Sequence, residues 1–121
     1  MEAKELMIGD KVMVKVLSQI PDTYVLHTWT ANDYSRDIQV KPIPLTPEIL
    51  EKNGFIKVNS QRYDYGYPDT DCYVKVNPKK NMIHVNGRNA NSNLYSHSFV
   101  HELQRALRLC GLNELADNFK V

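Results

Sequence analysis

The sequence predicts an α+β fold: an N-terminal SH3-like β-meander or small barrel, a short central helix, and a C-terminal antiparallel β-sheet packed on one long helix. Three observations carry this. Apolar and polar residues alternate with period two before residue 42 and again after residue 55, as in strands with one buried face. Between these stretches lies a segment bounded by prolines and a glycine. Near the C-terminus, apolar residues recur at steps of three and four, the period of a helix that buries one side.

Lys11-Val12-Met13-Val14-Lys15-Val16-Leu17 places lysines and apolar side chains on opposite faces, with Gly9-Asp10 as the turn before it. Thr23-Tyr24-Val25-Leu26-His27-Thr28-Trp29-Thr30 is rich in β-branched and aromatic residues and reads as a second strand. Ala31-Asn32-Asp33 breaks it, and Asp37-Ile38-Gln39-Val40-Lys41 reads as a third. Three short strands joined by polar turns suggest the meander or barrel.

Pro42-Ile43-Pro44-Leu45 must be extended, because each proline restrains its predecessor. Thr46 is a good N-cap, Pro47 suits the first helical position, Glu48 favours the helix dipole, and Gly54 is a left-handed stop. A helix over 47–53 follows. Phe55-Ile56-Lys57-Val58 and Arg62-Tyr63-Asp64-Tyr65 return to strand character. Cys72-Tyr73-Val74-Lys75-Val76 and Met82-Ile83-His84-Val85 flank Asn77-Pro78-Lys79-Lys80-Asn81 as a hairpin. The asparagine-rich run from Asn86 to Asn93 reads as a polar loop, with Leu94-Tyr95 as the last strand residues. A helix over Ser96–Gly111, capped by Ser96 or Ser98, places Phe99, Leu103, Ala106, Leu107 and Cys110 on one face. Leu115 and Phe119 can fold back in a further helical turn. The chain fits one domain over residues 1–121, with 1–45 and 46–121 as possible sub-lobes meeting at the proline-rich join.

With 121 residues, 42% of them hydrophobic and 24% charged, the chain can bury a core without metals or disulfides. Its net charge of +1 leaves no electrostatic footprint of duplex DNA binding. Cys72 and Cys110 form no metal-binding or redox spacing and are expected to be buried free thiols. The sequence contains no apolar span for a membrane and no signal-peptide core, so a reducing cytoplasm is expected. There is no P-loop, GxGxxG or GxSxG, and no cofactor is expected.

His101-Glu102-Leu103-Gln104-Arg105 stands one residue from the HExxH pattern, in which histidines at i and i+4 hold zinc and the glutamate acts as base. Arg105 cannot be a ligand, because it stays protonated. His97 and His101 are also four apart, with Glu102 adjacent and His84 available from a strand, so a metal site on His97, His101 and Glu102 is one expectation. A hydrogen-bonded polar helix face is the other.

Tyr63 and Tyr65, continued by Tyr67, Tyr73 and Tyr95, can form a stacking platform for bases, although Asp64, Asp69 and Asp71 repel phosphates. Equally, the tyrosines can line the half-buried face over the C-terminal helix. Tyr24, His27, Trp29 and Tyr34 belong to the N-terminal strands, where Trp29 is either an exposed ligand-gripping ring or a core residue. Arg88, at the tip of the asparagine-rich loop, is a candidate contact for a small anion.

The blocks Ile43-Pro44-Leu45-Thr46-Pro47-Glu48-Ile49-Leu50-Glu51-Lys52-Asn53-Gly54-Phe55 and Val100-His101-Glu102-Leu103-Gln104-Arg105-Ala106-Leu107-Arg108-Leu109-Cys110-Gly111, with Leu6-Met7-Ile8-Gly9-Asp10-Lys11-Val12, resemble a family of small uncharacterised proteins of Bacteroides-type bacteria, their prophages and mobile elements. The resemblance implies such an origin and a bacterial cytoplasmic setting, and transfers no activity. The function expected is a non-enzymatic binding or accessory protein, whose partner is a protein or small molecule rather than duplex DNA. Single-stranded nucleic-acid or nucleotide binding through exposed aromatics, and a metal-dependent hydrolase using His97 and His101, are the alternatives.

Overall fold

The computed structural model describes residues 6–16, 24–35, 38–66, 73–87, 90–95 and 99–121. Two antiparallel sheets share the helix of the C-terminal third. The first contains β1 (Lys11–Val16), β2 (Val25–Thr28) and β3 (Ile38–Lys41) in the order β2-β1-β3. The expected meander is corrected here: β1 is the central strand, flanked by both later strands, and the described strands do not close into a barrel. Alternation along β1 decides this geometry. Val12 and Val14 turn inward onto Leu6 and Trp29, with Ile38 and Val40 beside them, so one face of the small sheet is filled from within.

Entry into β1 is a tight turn. The Asp10 amide donates to the Met7 carbonyl at 3.0 Å, and Gly9 sits at φ +95°, a conformation open to glycine. Trp29 then bonds to two residues of the turn, its carbonyl accepting from the Gly9 amide and its amide donating to Asp10 O. After β2, a 3-10 turn over Ala31–Ser35 is organised by Asp33, which accepts from the Thr30 amide and hydroxyl at 2.8 Å each.

The central helix α1 (Pro47–Lys52) follows its local signals: Thr46 Oγ1 accepts from the Ile49 amide, and Pro47 opens the first turn. Gly54, at φ +84°, ends it in a Schellman motif, with Phe55 N–H donating to Leu50 O and Gly54 N–H to Glu51 O.

The second sheet is a five-stranded meander of β4 (Ile56–Lys57), β5 (Tyr63–Tyr65), β6 (Tyr73–Asn77), β7 (Met82–Gly87) and β8 (Ala90–Tyr95). The hairpin between β6 and β7 turns on Asn77, whose side chain caps a 3-10 turn, and on Asn81 in the left-handed region. The loop expected over Asn86–Asn93 is corrected: β7 runs on to Gly87, and Ala90–Tyr95 returns as β8 in register from Met82↔Tyr95 to Gly87↔Ala90. Asparagine and serine have low strand propensity, but six paired positions on an edge strand outweigh it.

Register places Tyr63, Val74, Val76, Ile83 and Val85 on one face, which forms the main core with α2 (Val100–Leu109). Helix α2 is shorter than the Ser96–Gly111 expected. Phe99 is extended at φ −98°, ψ 155° and serves as N-cap, so helical geometry begins at Val100, while Ser96 and Ser98 lie outside the described residues. Gly111, at φ +80°, closes it with a second Schellman motif, and α3 (Asn113–Asp117) folds back to bury Ala116 and Phe119. No described helix is long and apolar enough to cross a membrane.

Candidate functional site

Helix α2 carries two stripes. Val100, Leu103, Ala106, Leu107 and Cys110 are buried against the five-stranded sheet. His101, Gln104, Arg105 and Arg108 form the second, at the spacing that keeps residues on one face. This polar stripe meets the small sheet. Gln104, with no exposed surface, accepts from the Lys11 amide at 2.8 Å and donates to Gly9 O and Ala116 O at 2.9 Å each, tying β1, α2 and α3 together.

Asp10 is the electrostatic centre of the junction. It is fully buried, holds the Met7 amide at 2.8 Å, and faces the guanidinium groups of Arg108 at 3.0 Å and Arg105 at 3.6 Å. Arg108 also approaches Asp117 at 3.5 Å. A buried carboxylate needs such pairing, because desolvation without it costs several kcal/mol. The Arg105 that breaks the zinc pattern therefore occupies a structural position, facing the buried carboxylate of Asp10 beside Arg108.

Between these arginines and the turn lies a pocket of about 310 Å³, lined by Met7, Arg105, Arg108 and Leu109. Its apolar lining is open to solvent: Met7 is 48% exposed and Leu109 54%. Arg105 Nε and Nη2 and Arg108 Nη2 have no hydrogen-bond acceptor among the described residues. A second pocket, of about 350 Å³, lies between Tyr65 and the segment from Gly111 to Leu115.

The site residues expected from sequence are not brought together in the structure. Trp29 is corrected from ligand surface to core: it has no exposed surface and stacks edge-on against Tyr34 at 5.5 Å. Tyr63 is likewise buried, at 4% exposure, which removes it from any stacking platform. Strand alternation puts both residues of the Tyr63/Tyr65 pair on the core side, so only Tyr65, packed on Phe55 at 5.4 Å, reaches a pocket rim. Arg88 and His97 lie outside the described residues, as do Tyr67, Asp69, Asp71 and Cys72.

Of the residues expected to hold a metal, His97, His101 and Glu102, only the last two are among the described residues. Phe99 is extended, and helical geometry begins at Val100. His101 is buried and stacked on Phe99 at 5.9 Å, and Glu102 accepts from the Phe99 amide at 3.0 Å as a helix cap. His84 pairs in register with Lys75 on the face of its sheet opposite the core, away from α2. Among the described residues no group of three or more His, Cys, Asp or Glu side chains gathers to hold a metal ion. Cys110 is buried, with its Sγ 3.6 Å from Tyr73 O.

Sequence reasoning passed over the Asp10–Gln104–Arg105–Arg108 junction. Its signal was Gln104, a polar residue flanked by the apolar positions Leu103, Ala106 and Leu107. Comparison with protein-family models, curated proteins and solved structures yields no match.

Proposed function

We propose that the protein is a non-enzymatic binding or accessory protein of prophage or mobile-element origin, acting in a bacterial cytoplasm. Its partner is a protein segment that carries both apolar and acidic side chains. One observation carries this reading: the exposed side chains of Met7 and Leu109 line a pocket walled by Arg105 and Arg108. Large apolar side chains gathered at a pocket mark interaction surfaces more often than scattered ones do. Charge favours an acidic occupant, because two guanidinium groups share the single buried carboxylate of Asp10, and Asp117, 63% exposed, is screened by solvent.

Native mass spectrometry of the protein isolated from its host, beside the Leu109→Glu variant, tests the proposal. A protein partner retained by the native chain and released by Leu109→Glu is the expected result. A strictly monomeric native protein, or a partner held equally by the variant, overturns it.

A further inference from the structure

The outer face of the small sheet offers a different surface. Register sets Lys11 opposite Thr28, Met13 between Leu26 and Lys41, and Lys15 opposite Gln39, so these side chains share the face that Val12, Val14 and Val40 do not occupy; Met13 itself packs against the main core, and the exposed part of the face lies around Tyr24, Leu26, Gln39 and Lys41. Tyr24, one residue before β2, lies across it: its hydroxyl is 3.3 Å from Gln39 Oε1, and the ammonium groups of Lys15 and Lys41 each stand 5.7 Å from its ring centroid. Tyr24 keeps 37% of its surface exposed and Leu26 52%. Lys11 Nζ donates to Thr28 Oγ1 at 2.6 Å, which holds a third cation on the same face. None of these described residues is acidic. Lys15 and Lys41 thus flank one exposed ring, and Lys11 stands on the same face beside Thr28.

We propose that this face binds single-stranded nucleic acid, with the lysines taking backbone phosphates and the Tyr24 ring stacking on a base. A sheet surface that combines an aromatic ring with flanking cations suits unpaired bases, which expose their faces, whereas a duplex hides them. Lys11 and Lys41 give moderate, salt-sensitive affinity: log K should fall against log salt with a slope of roughly −1.4, about −0.7 for each phosphate neutralised. The surface does not include Leu109 or Arg105, so it stands or falls apart from the protein-docking pocket.

The test is fluorescence anisotropy of labelled oligothymidylate and oligouridylate, each about 12 nucleotides long, titrated with the full chain at rising salt. Binding with that slope is expected. Tyr24→Leu should weaken it on the order of tenfold, Tyr24→Phe should retain it, and Lys41→Gln should flatten the slope by about 0.7. Circular dichroism establishes that each variant is folded. Flat titrations at low salt overturn the proposal, as do Tyr24→Leu and Lys41→Gln variants that bind like the native chain. Polyglutamate of similar length displacing the oligonucleotide equally well also overturns it, because the face would then be a general docking surface for acidic proteins.

Discussion

The carboxylate of Asp10 meets the Arg108 guanidinium at 3.0 Å across a separation of 98 residues, joining the turn before the first strand to the last turn of helix α2. Asp10 is wholly buried, whereas Arg108 keeps a sixth of its surface and Arg105 a third. Asp10→Asn leaves two guanidinium groups facing a neutral amide, a loss of about 2–4 kcal/mol with partial solvent relief of the arginines. Urea unfolding checks this: the midpoint should fall with the slope unchanged. A midpoint within error of the native protein would show that the junction adds nothing to stability.

Arg105→His completes HExxH in sequence. The expected outcome is a less stable protein that takes up no stoichiometric zinc, because His101 is buried against Phe99 and the Glu102 carboxylate is engaged at the helix start. Metal analysis of untagged protein after incubation with zinc is the check. One equivalent of bound zinc would restore the motif's catalytic meaning.

Gly9 and Gly111 both adopt positive φ, yet their alanine variants should differ. At Gly111 an added Cβ meets nothing within 4 Å, so Gly111→Ala carries only the conformational cost, about 1–2 kcal/mol. At Gly9 the new Cβ would lie 2.8 Å from Arg108 Nη2, and moving that group strains the pair with Asp10, so Gly9→Ala should cost about 1 kcal/mol more. Thermal or urea denaturation of the two variants gives the order, and equal losses would contradict it.

Gln104→Leu keeps the volume but strands the Lys11 amide and the carbonyls of Gly9 and Ala116, for an expected loss of about 2–4 kcal/mol. Hydrogen exchange at the Lys11 amide should accelerate more than exchange in β6 or β7. Uniform acceleration across both sheets would mean that the two regions open together.

What was legible in the sequence was local. Helix α1 could be drawn from Thr46, Pro47 and Gly54 because capping and stop signals act within a few residues. The β6–β7 hairpin was written in Asn77, Pro78 and Asn81 in the same way. Strand order β2-β1-β3 was not, since it depends on which edge of β1 each later strand finds. The β8 strand was hidden behind asparagines whose pairing partner lies on β7. At the candidate sites the alternation that put Tyr63 beside Tyr65 was visible, but its sign was not: nothing local says whether that face points to solvent or core. Arg105 showed itself only as a defect in a zinc pattern, because Asp10, which explains it, stands 95 positions earlier.

Trp29 is the only tryptophan in the chain, and it is sealed in the small cluster with Leu6, Val12 and Val14 rather than in the larger core. Nature has in effect placed a single optical reporter in one compartment of the molecule. Indole emission will register the opening of the three-stranded sheet and be blind to the five-stranded one, whose melting is visible in far-ultraviolet ellipticity. Superimposable curves from the two signals would make the Asp10–Gln104–Arg108 seam the cooperative hinge of folding, and displaced curves would make the two sheets separately folding units.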